Sequence, residues 1–400
     1  MYKAILRKQH RFRNLTLFIC CLFFLTSTSA ASQINPAKIT GSCKTLRAMS
    51  RVYMAGGNYS KAQPLAENAL TLAKSKETSD SELCKCYIDL AYLYKNQGKF
   101  AEAEDMCKEG LELQYKVYYK NHPYIASTLR ILSSIYQGQA KYRQAEDTMN
   151  QAIAIMQKTH LPDDPALAPL QVDLARVMAA QGELEEAEKI YLEALDIINN
   201  VYGKDHLYTA GVLGSIAELY TQQEKYEKAL ELINRTIEIQ QNAYGSQHYL
   251  MTSAWLTKAA ICQGLGDFDQ AEKLLKKSSS VIEKDCDASQ PLSGRILKQL
   301  GELYIAEGNY ELAQKVCLQA VDVLENSLGR DNDLTAMAYN NLAKVYIHKG
   351  KYTEAKELCD NALNTLENIF DPNHSSVALV LETITQLEEQ TGHSAEVAKL

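Results

Sequence analysis

The chain has 400 residues, 46% of them hydrophobic and 23% charged, with a net charge of −7 and a single tryptophan, Trp255. This balance is too apolar for a disordered polypeptide. Its sign is opposite to that of a duplex-binding surface, so the expected partners include neither nucleic acid nor anionic lipid.

The first thirty residues stand apart. Lys3, Arg7, Lys8, Arg11 and Arg13 form a basic head without an acid, and the apolar run Leu15 to Leu25 is followed by the small-residue stretch Thr26 to Ala31. That is the three-part layout of a secretory signal, with cleavage expected after Ala30 or Ala31. About eleven apolar residues are too few for a comfortable bilayer span. The expectation is a cleaved signal peptide or, as the alternative, an uncleaved signal anchor; either exports the repeats to a periplasmic, secreted or otherwise extracytoplasmic location, with no membrane span in the mature form. Residues 1–30 hold five of the 42 basic residues and none of the 49 acidic ones, so without them the net charge is −12. Residues 31–42 read as a short linker.

From there the chain repeats. Tyr59, Phe100, Tyr142, Leu184, Tyr226, Phe268, Tyr310 and Tyr352 follow one another at one step of 41 residues and six of 42. Three residues after each stands an alanine: Ala62, Ala103, Ala145, Ala187, Ala229, Ala271, Ala313 and Ala355. A fixed period of this length means one supersecondary unit copied and stacked.

The last full unit shows the unit's physics. Tyr339, Leu342, Ala343 and Tyr346 fall at i, i+3, i+4 and i+7, one face of a helix. Gly350 can supply the left-handed residue of a helix C-terminus. Tyr352, Ala355, Cys359 and Ala362 then form a second stripe. The spacing predicts two helices folded back on each other. The upstream columns recur too: Tyr53, Tyr94, Tyr136, Tyr220, Tyr304 and Tyr346, with Met178 and Cys262 in two units, and the small residues Ser50, Ala91, Ser133, Ala175, Ala217, Ala259, Gly301 and Ala343. Turn glycines are Gly57, Gly98, Gly182, Gly266, Gly308 and Gly350. One hairpin cannot bury both stripes, so each unit needs its neighbours. Leu379, Ile384 and Leu387 suit a decayed ninth unit that caps the stack.

These columns resemble the tetratricopeptide repeat, and the 42-residue period looks like its kinesin-light-chain type. Asn121-His122-Pro123, Asp205-His206, Gln247-His248 and Asn373-His374 between the hairpins carry the same likeness. The resemblance implies an all-α solenoid: a right-handed superhelix of antiparallel helix hairpins, with eight units over 43–378 and a degenerate capping unit over 379–400. It further implies a non-catalytic scaffold that holds a protein or peptide partner in the concave groove lined by first helices.

Chemistry outside that groove is sparse. Beyond residue 30 there are eight cysteines. Cys107, Cys317 and Cys359 share the second-helix position filled elsewhere by Ala66, Met149, Tyr191, Ile233 and Leu275, which reads as core. Cysteines one repeat apart sit on helices roughly 8–10 Å apart, beyond the Cα spacing of about 7 Å that a disulfide tolerates. A bond among Cys43, Cys84 and Cys86 stays open, and with it an alternative function as a thiol-active or accessory component of an extracytoplasmic enzyme system. His122, His206, His248 and His374 form a ladder shared with Asp164, Gln290 and Asn332. Rungs a repeat apart cannot converge on one metal ion, so helix-terminal roles are expected. No hydrolase, zincin or phosphate-loop motif occurs. No cofactor, metal or catalytic residue is expected.

The candidate partner-binding residues lie on first helices opposite the hairpin contact: Arg47, Arg51, Asp89, Tyr92, Arg130, Asp173, Arg176, Glu218, Lys298, Gln299, Glu302, Asn340, Asn341 and Lys344. Mixed signs suggest recognition by local pairing. The family likeness implies asparagines that hold a ligand's backbone, and only Asn340 and Asn341 match. Ile131, Asp173, Ser215, Thr257 and Gln299 occupy the Asn341 column elsewhere. The lysine and asparagine set that other members use to clamp a terminal carboxylate is absent as a pattern. Self-association through the groove or the ends of the array is a further expectation.

Overall fold

The computed structural model describes residues 42–392, apart from 56, 57, 76, 77, 159, 161–163, 247, 286–290 and 371. The expected leader (1–30), nearly all of the linker, Gly57, Cys286, Gln290 and the end of the capping unit lie outside the described residues. Among the described residues the regular structure is helical throughout.

Eight hairpins follow in order. They are α1 (Cys43–Ala55) with α2 (Tyr59–Ser75), α3 (Asp80–Asn96) with α4 (Phe100–Val117), α5 (Pro123–Gly138) with α6 (Tyr142–Gln157), and α7 (Ala168–Ala180) with α8 (Leu184–Tyr202). Then come α9 (Leu207–Gln222) with α10 (Tyr226–Tyr244), α11 (Thr252–Gly264) with α12 (Phe268–Asp285), α13 (Pro291–Ala306) with α14 (Tyr310–Leu328), and α15 (Asp333–His348) with α16 (Tyr352–Ile369). A single helix, α17 (Ser375–Thr391), closes the stack against α15 and α16.

The repeated columns are the core. All eight repeat alanines, from Ala62 to Ala355, are fully buried. Facing them are Ser50, Ala91, Ser133, Ala175, Ala217, Ala259, Gly301 and Ala343, also buried. Small side chains on both sides let the two helices of a hairpin approach closely. Where serine replaces alanine, its hydroxyl is satisfied across that crossing: Ser50 donates to the Ala62 carbonyl at 3.0 Å and Ser133 to that of Ala145 at 2.6 Å. Cys107, Cys317 and Cys359 lie in the same buried column as Ala66, Met149, Tyr191, Ile233 and Leu275.

Each hairpin turn needs one residue in the left-handed region. Gly98, Gly182, Gly266, Gly308 and Gly350 supply it at no steric cost. Repeats 3 and 5 lack a glycine there. Ala140 (φ 56°) and Glu224 (φ 57°) adopt the conformation regardless, because the flanking helices fix it.

The array also closes on itself. The Tyr249 hydroxyl donates to the Ala55 carbonyl at 2.9 Å across 194 residues. The turn at Gly98 abuts Pro291 and Ser327. Asn332 Nδ2 donates to the Gly138 carbonyl at 3.0 Å, again across 194 residues, and His374 Nε2 lies 3.1 Å from the Ala180 carbonyl at the same offset. The hairpin turns of repeats 1 to 4 thus meet the loops that open repeats 6 to 8 and α17. One superhelical turn therefore takes between four and five repeats.

Candidate functional site

Closure leaves the concave side as a cavity half open to solvent. A cavity of about 680 Å³ is lined by first helices from repeats 2 to 8. Lys95, Gln137, Arg176, Glu218, Ser253 and Arg295 supply polar walls, and Ala210, Gly211 and Gly214 a low floor on α9. A second concavity of about 360 Å³ shares Glu218, Thr257, Arg295 and Leu334 with it and continues along Lys298, Gln299 and Glu302.

The expected groove residues are largely occupied with one another. A recurring geometry links a first helix to the next. Arg47 pairs with Asp89 at 2.7 Å, and Arg130 in the same column pairs with Asp173 at 2.5 Å. One helical turn later in the column, Arg51 reaches Asp89 at 2.7 Å, Arg176 reaches Ser215 at 3.4 Å, Glu218 accepts from Thr257 at 3.1 Å and Glu302 accepts from Asn341 at 3.3 Å. Arg176 also pairs with Asp173 at 2.7 Å, Lys298 with Glu302 at 2.7 Å, and Gln299 donates to the Leu256 carbonyl at 3.0 Å. Repeats are thereby tied rung to rung by their own polar side chains.

Of the fourteen expected residues, Arg176 and Glu218 line the large cavity, and Lys298, Gln299, Glu302 and again Glu218 the smaller one. Arg47 and Asp89 are buried, because Arg47 also binds Glu82 and Arg51 also binds Asp89, so two cations balance two carboxylates between α1 and α3. Tyr92 is exposed with the Lys95 ammonium 4.9 Å over its ring. Lys344 is half-buried and lines neither cavity. Asn340 and Asn341, expected on the groove surface, are instead buried, and neither polar atom of the Asn340 side chain has a partner. From its column Arg47 and Arg130 reach a carboxylate on the next repeat, whereas the helix after α15 is the capping α17, which offers no such acid.

Three residues that matter to the cavity were missing from the expected set. Lys95 sits three residues after Tyr92, and Arg295 seven before Glu302. Both continue the same helical stripe by a further one or two turns, and extending the period would have reached them. Asp333 lies at the first turn of α15, where burial pushes its carboxyl above the ordinary range even though it accepts a 2.8 Å hydrogen bond from the Tyr142 hydroxyl.

The histidine ladder proves to be a capping device. Nδ1 of His122, His206, His248 and His374 accepts from the backbone N–H two residues on, at 3.1–3.2 Å. Asp164 and Asn332 do the same from their carboxylate and amide oxygens. Each histidine and Asn332 satisfies a donor at the opening of a first helix, and Asp164 one in the turn that leads into α7. Among the described residues no cluster of His, Cys, Asp or Glu is arranged to hold a metal ion.

The described thiols are all buried. Burial pushes Cys84 and Cys359 up to about 11 and Cys107 and Cys317 up to about 12. Such thiols carry little thiolate near neutral pH and are poor nucleophiles. One pair differs in geometry: Cys43 and Cys86 hold their sulfurs 3.2 Å apart.

Comparison with known proteins agrees with this architecture. The family pattern described as Tetratricopeptide repeat matches residues 41–116, 84–158, 166–242, 210–284, 249–326, 292–347 and 334–400. The apo form of the quorum sensor NprR from B. thuringiensis is similar in fold (TM-score 0.56, 14% identity), covering 89% of this chain and 95% of that one. A Rap protein complexed with Competence and Sporulation Factor gives TM-score 0.55 and 15% identity over 87% of this chain and 99% of that one. Kinesin light chain TPR-like repeats from Podosopora anserina give TM-score 0.41 and 22% identity over 53% and 99%. No curated protein matches. No helix among the described residues is long and apolar enough to cross a membrane.

Proposed function

Since this chain belongs to the tetratricopeptide repeat family, we propose that it is a non-catalytic interaction scaffold that takes an extended segment or helix of a partner protein into the cavity on the concave side of its superhelix. One observation carries the reading: seven successive repeats turn their first helices onto a single cavity of about 680 Å³. A surface already shaped in this way asks little ordering of itself when it binds. The rung-to-rung pairs keep the first helices in register, so their polar groups are fixed before a partner arrives. A fold neighbour, the Rap protein, is complexed with Competence and Sporulation Factor, and a receptor role for the same fold is part of the proposal here. Residues 1–30 are the part of the reading that assigns the scaffold to an exported compartment, on the strength of their basic head and apolar run.

A photo-activatable residue placed at Ser253, which lines the cavity, tests the proposal against one at Glu231, exposed on α10 outside it. Capture of one defined partner segment at Ser253 and none at Glu231 supports it. Equal capture at both positions, or capture at Glu231 alone, contradicts it.

A further inference from the structure

The cavity is charged against the trend of the chain. The protein as a whole is at −7, yet the charged side chains that line the cavity are Lys95, Arg176 and Arg295 against Glu218 and Asp333. Asp333 is already engaged by the Tyr142 hydroxyl at 2.8 Å. Arg176 is answered by Asp173 at 2.7 Å. Lys95 makes no direct ion pair among the described residues, and only the more distant charge of Asp173 opposes it. No carboxylate stands within ion-pair distance of its ammonium, whose described contact is the Tyr92 ring. Burial holds its charge below the usual lysine range, Asp173 opposes that, and Arg130 and Arg176 reinforce it. Arg295 is exposed into both concavities and makes no ion pair among the described residues. A cation in a concave site without a direct carboxylate partner is available to pair with an anionic group that enters. A concave, low-dielectric wall also focuses its field on whatever enters.

The floor is built to leave room. Gly211 and Gly214 stand inside α9, where glycine weakens a helix relative to alanine. A Cβ at Gly211 would meet nothing within 4 Å, and one at Gly214 only an ordinary 3.5 Å contact with Thr236. Packing therefore requires glycine at neither position. What the two glycines do is leave room in the cavity that Lys95 and Arg295 also line.

We infer that the occupant of this cavity is an acidic peptide segment, whose carboxylates meet Lys95 and Arg295 and whose main chain lies over Gly211 and Gly214. The inference rests on the scaffold reading above and adds the chemistry of the partner. The first helices offer the acidic segment what the rest of this anionic surface withholds, so the same charges that admit it turn basic segments away.

The test is fluorescence anisotropy with the full chain and three labelled ten-residue probes: polyglutamate, polylysine and a Gly-Ser peptide. An unlabelled ten-base oligothymidylate serves as competitor. Polyglutamate is expected to bind, to weaken as salt is raised, and to lose at least tenfold in affinity in the K95Q/R295Q double variant. K228Q, on the exposed side of α10, should leave binding unchanged, and circular dichroism identical to wild type confirms that the double variant is folded. Equal binding of polyglutamate and Gly-Ser, insensitivity to K95Q/R295Q, or equally effective competition by the oligothymidylate would each overturn the assignment. A cross-linker at Ser253 separates the two levels. If it captures the Gly-Ser probe while the double variant changes nothing, the acidic assignment falls and the scaffold reading stands. If it captures neither probe nor partner, both fall.

Discussion

The Tyr142 hydroxyl donates a 2.8 Å hydrogen bond to Asp333 across 191 residues, joining the first turn of a second helix in repeat 3 to the first turn of repeat 8. The Tyr142 ring stacks on Phe370 at 5.3 Å, and Phe370 stacks on His374 at 3.7 Å, so one aromatic column links three parts of the array that are remote in sequence. Closure of the superhelix is therefore a packed interface with buried polar chemistry.

Removing that hydroxyl takes from the buried carboxyl its side-chain donor and leaves it only backbone N–H groups. Tyr142→Phe is expected to destabilise the fold by about 1–3 kcal/mol, measured by chemical denaturation. Because the folded state raises the Asp333 pKa, its contribution is fully present below the unfolded value of about 3.9 and declines as pH rises through the folded value. Asp333→Asn should accordingly melt higher than wild type at pH 7–8 and show a flatter pH profile above pH 4. A variant that melts lower throughout would contradict this account.

His206 points to the opposite pH dependence. Burial lowers the His206 pKa, so its neutral form is the one the fold favours, with Nδ1 accepting from the Tyr208 N–H. That stability is present above the ordinary histidine value of about 6.5 and is lost as pH falls through and below it. His206→Asn, which copies the helix cap already made by Asn332, should preserve stability at pH 7 and reduce the loss at pH 5. His206→Ala should cost about 1 kcal/mol at pH 7.

Glu224 is the exposed residue of the two that hold a left-handed turn without glycine. Glu224→Gly should raise stability by about 1 kcal/mol by relieving that conformation. Gly308→Ala, at φ 73° with nothing near its Cβ, should lower it by a similar amount. Thermal melts of both variants check the pair, and the same sign for both would refute the argument.

The sulfurs of Cys43 and Cys86, 3.2 Å apart on α1 and α3, are placed to be oxidised together. Treatment of the reduced, unfolded chain with a disulfide oxidant during refolding should yield a Cys43–Cys86 bond, found by peptide mapping. It should stabilise the first two repeats by about 3–4 kcal/mol, as expected for a closed loop of this length. Cys107, Cys317 and Cys359 should stay unreactive toward a thiol reagent until the chain is denatured. A mapped bond to any of those three would contradict the repeat register.

The stack itself was legible in the letters because each unit solves the same packing problem. Ala229 and Ala313 recur at a fixed step since only a small side chain fits where the two helices cross, and both are fully buried. Closure was not legible. Its offsets of 191 and 194 residues are no multiple of 42, so the contacts join unlike columns: Tyr142 meets a helix start, and His374 meets the carbonyl of Ala180. The cavity follows from closure, which is why Lys95 and Arg295 were passed over while Asn340, on the same stripe but at the capped end, was expected in the groove and is buried.

The claim on which the rest depends is that the array closes after 194 residues and gathers its concave face around a cavity. Gln181→Cys with Asn373→Cys flanks the contact between Ala180 and His374, which are 3.1 Å apart at the carbonyl and Nε2. A short bis-maleimide added to the folded chain should join the two positions within one molecule, shown by an intramolecular cross-linked peptide. In an open array more than four repeats would lie between them, roughly 40 Å or more at 8–10 Å per packed helix. Failure to form that cross-link, with both thiols labelled singly instead, would contradict the closed superhelix.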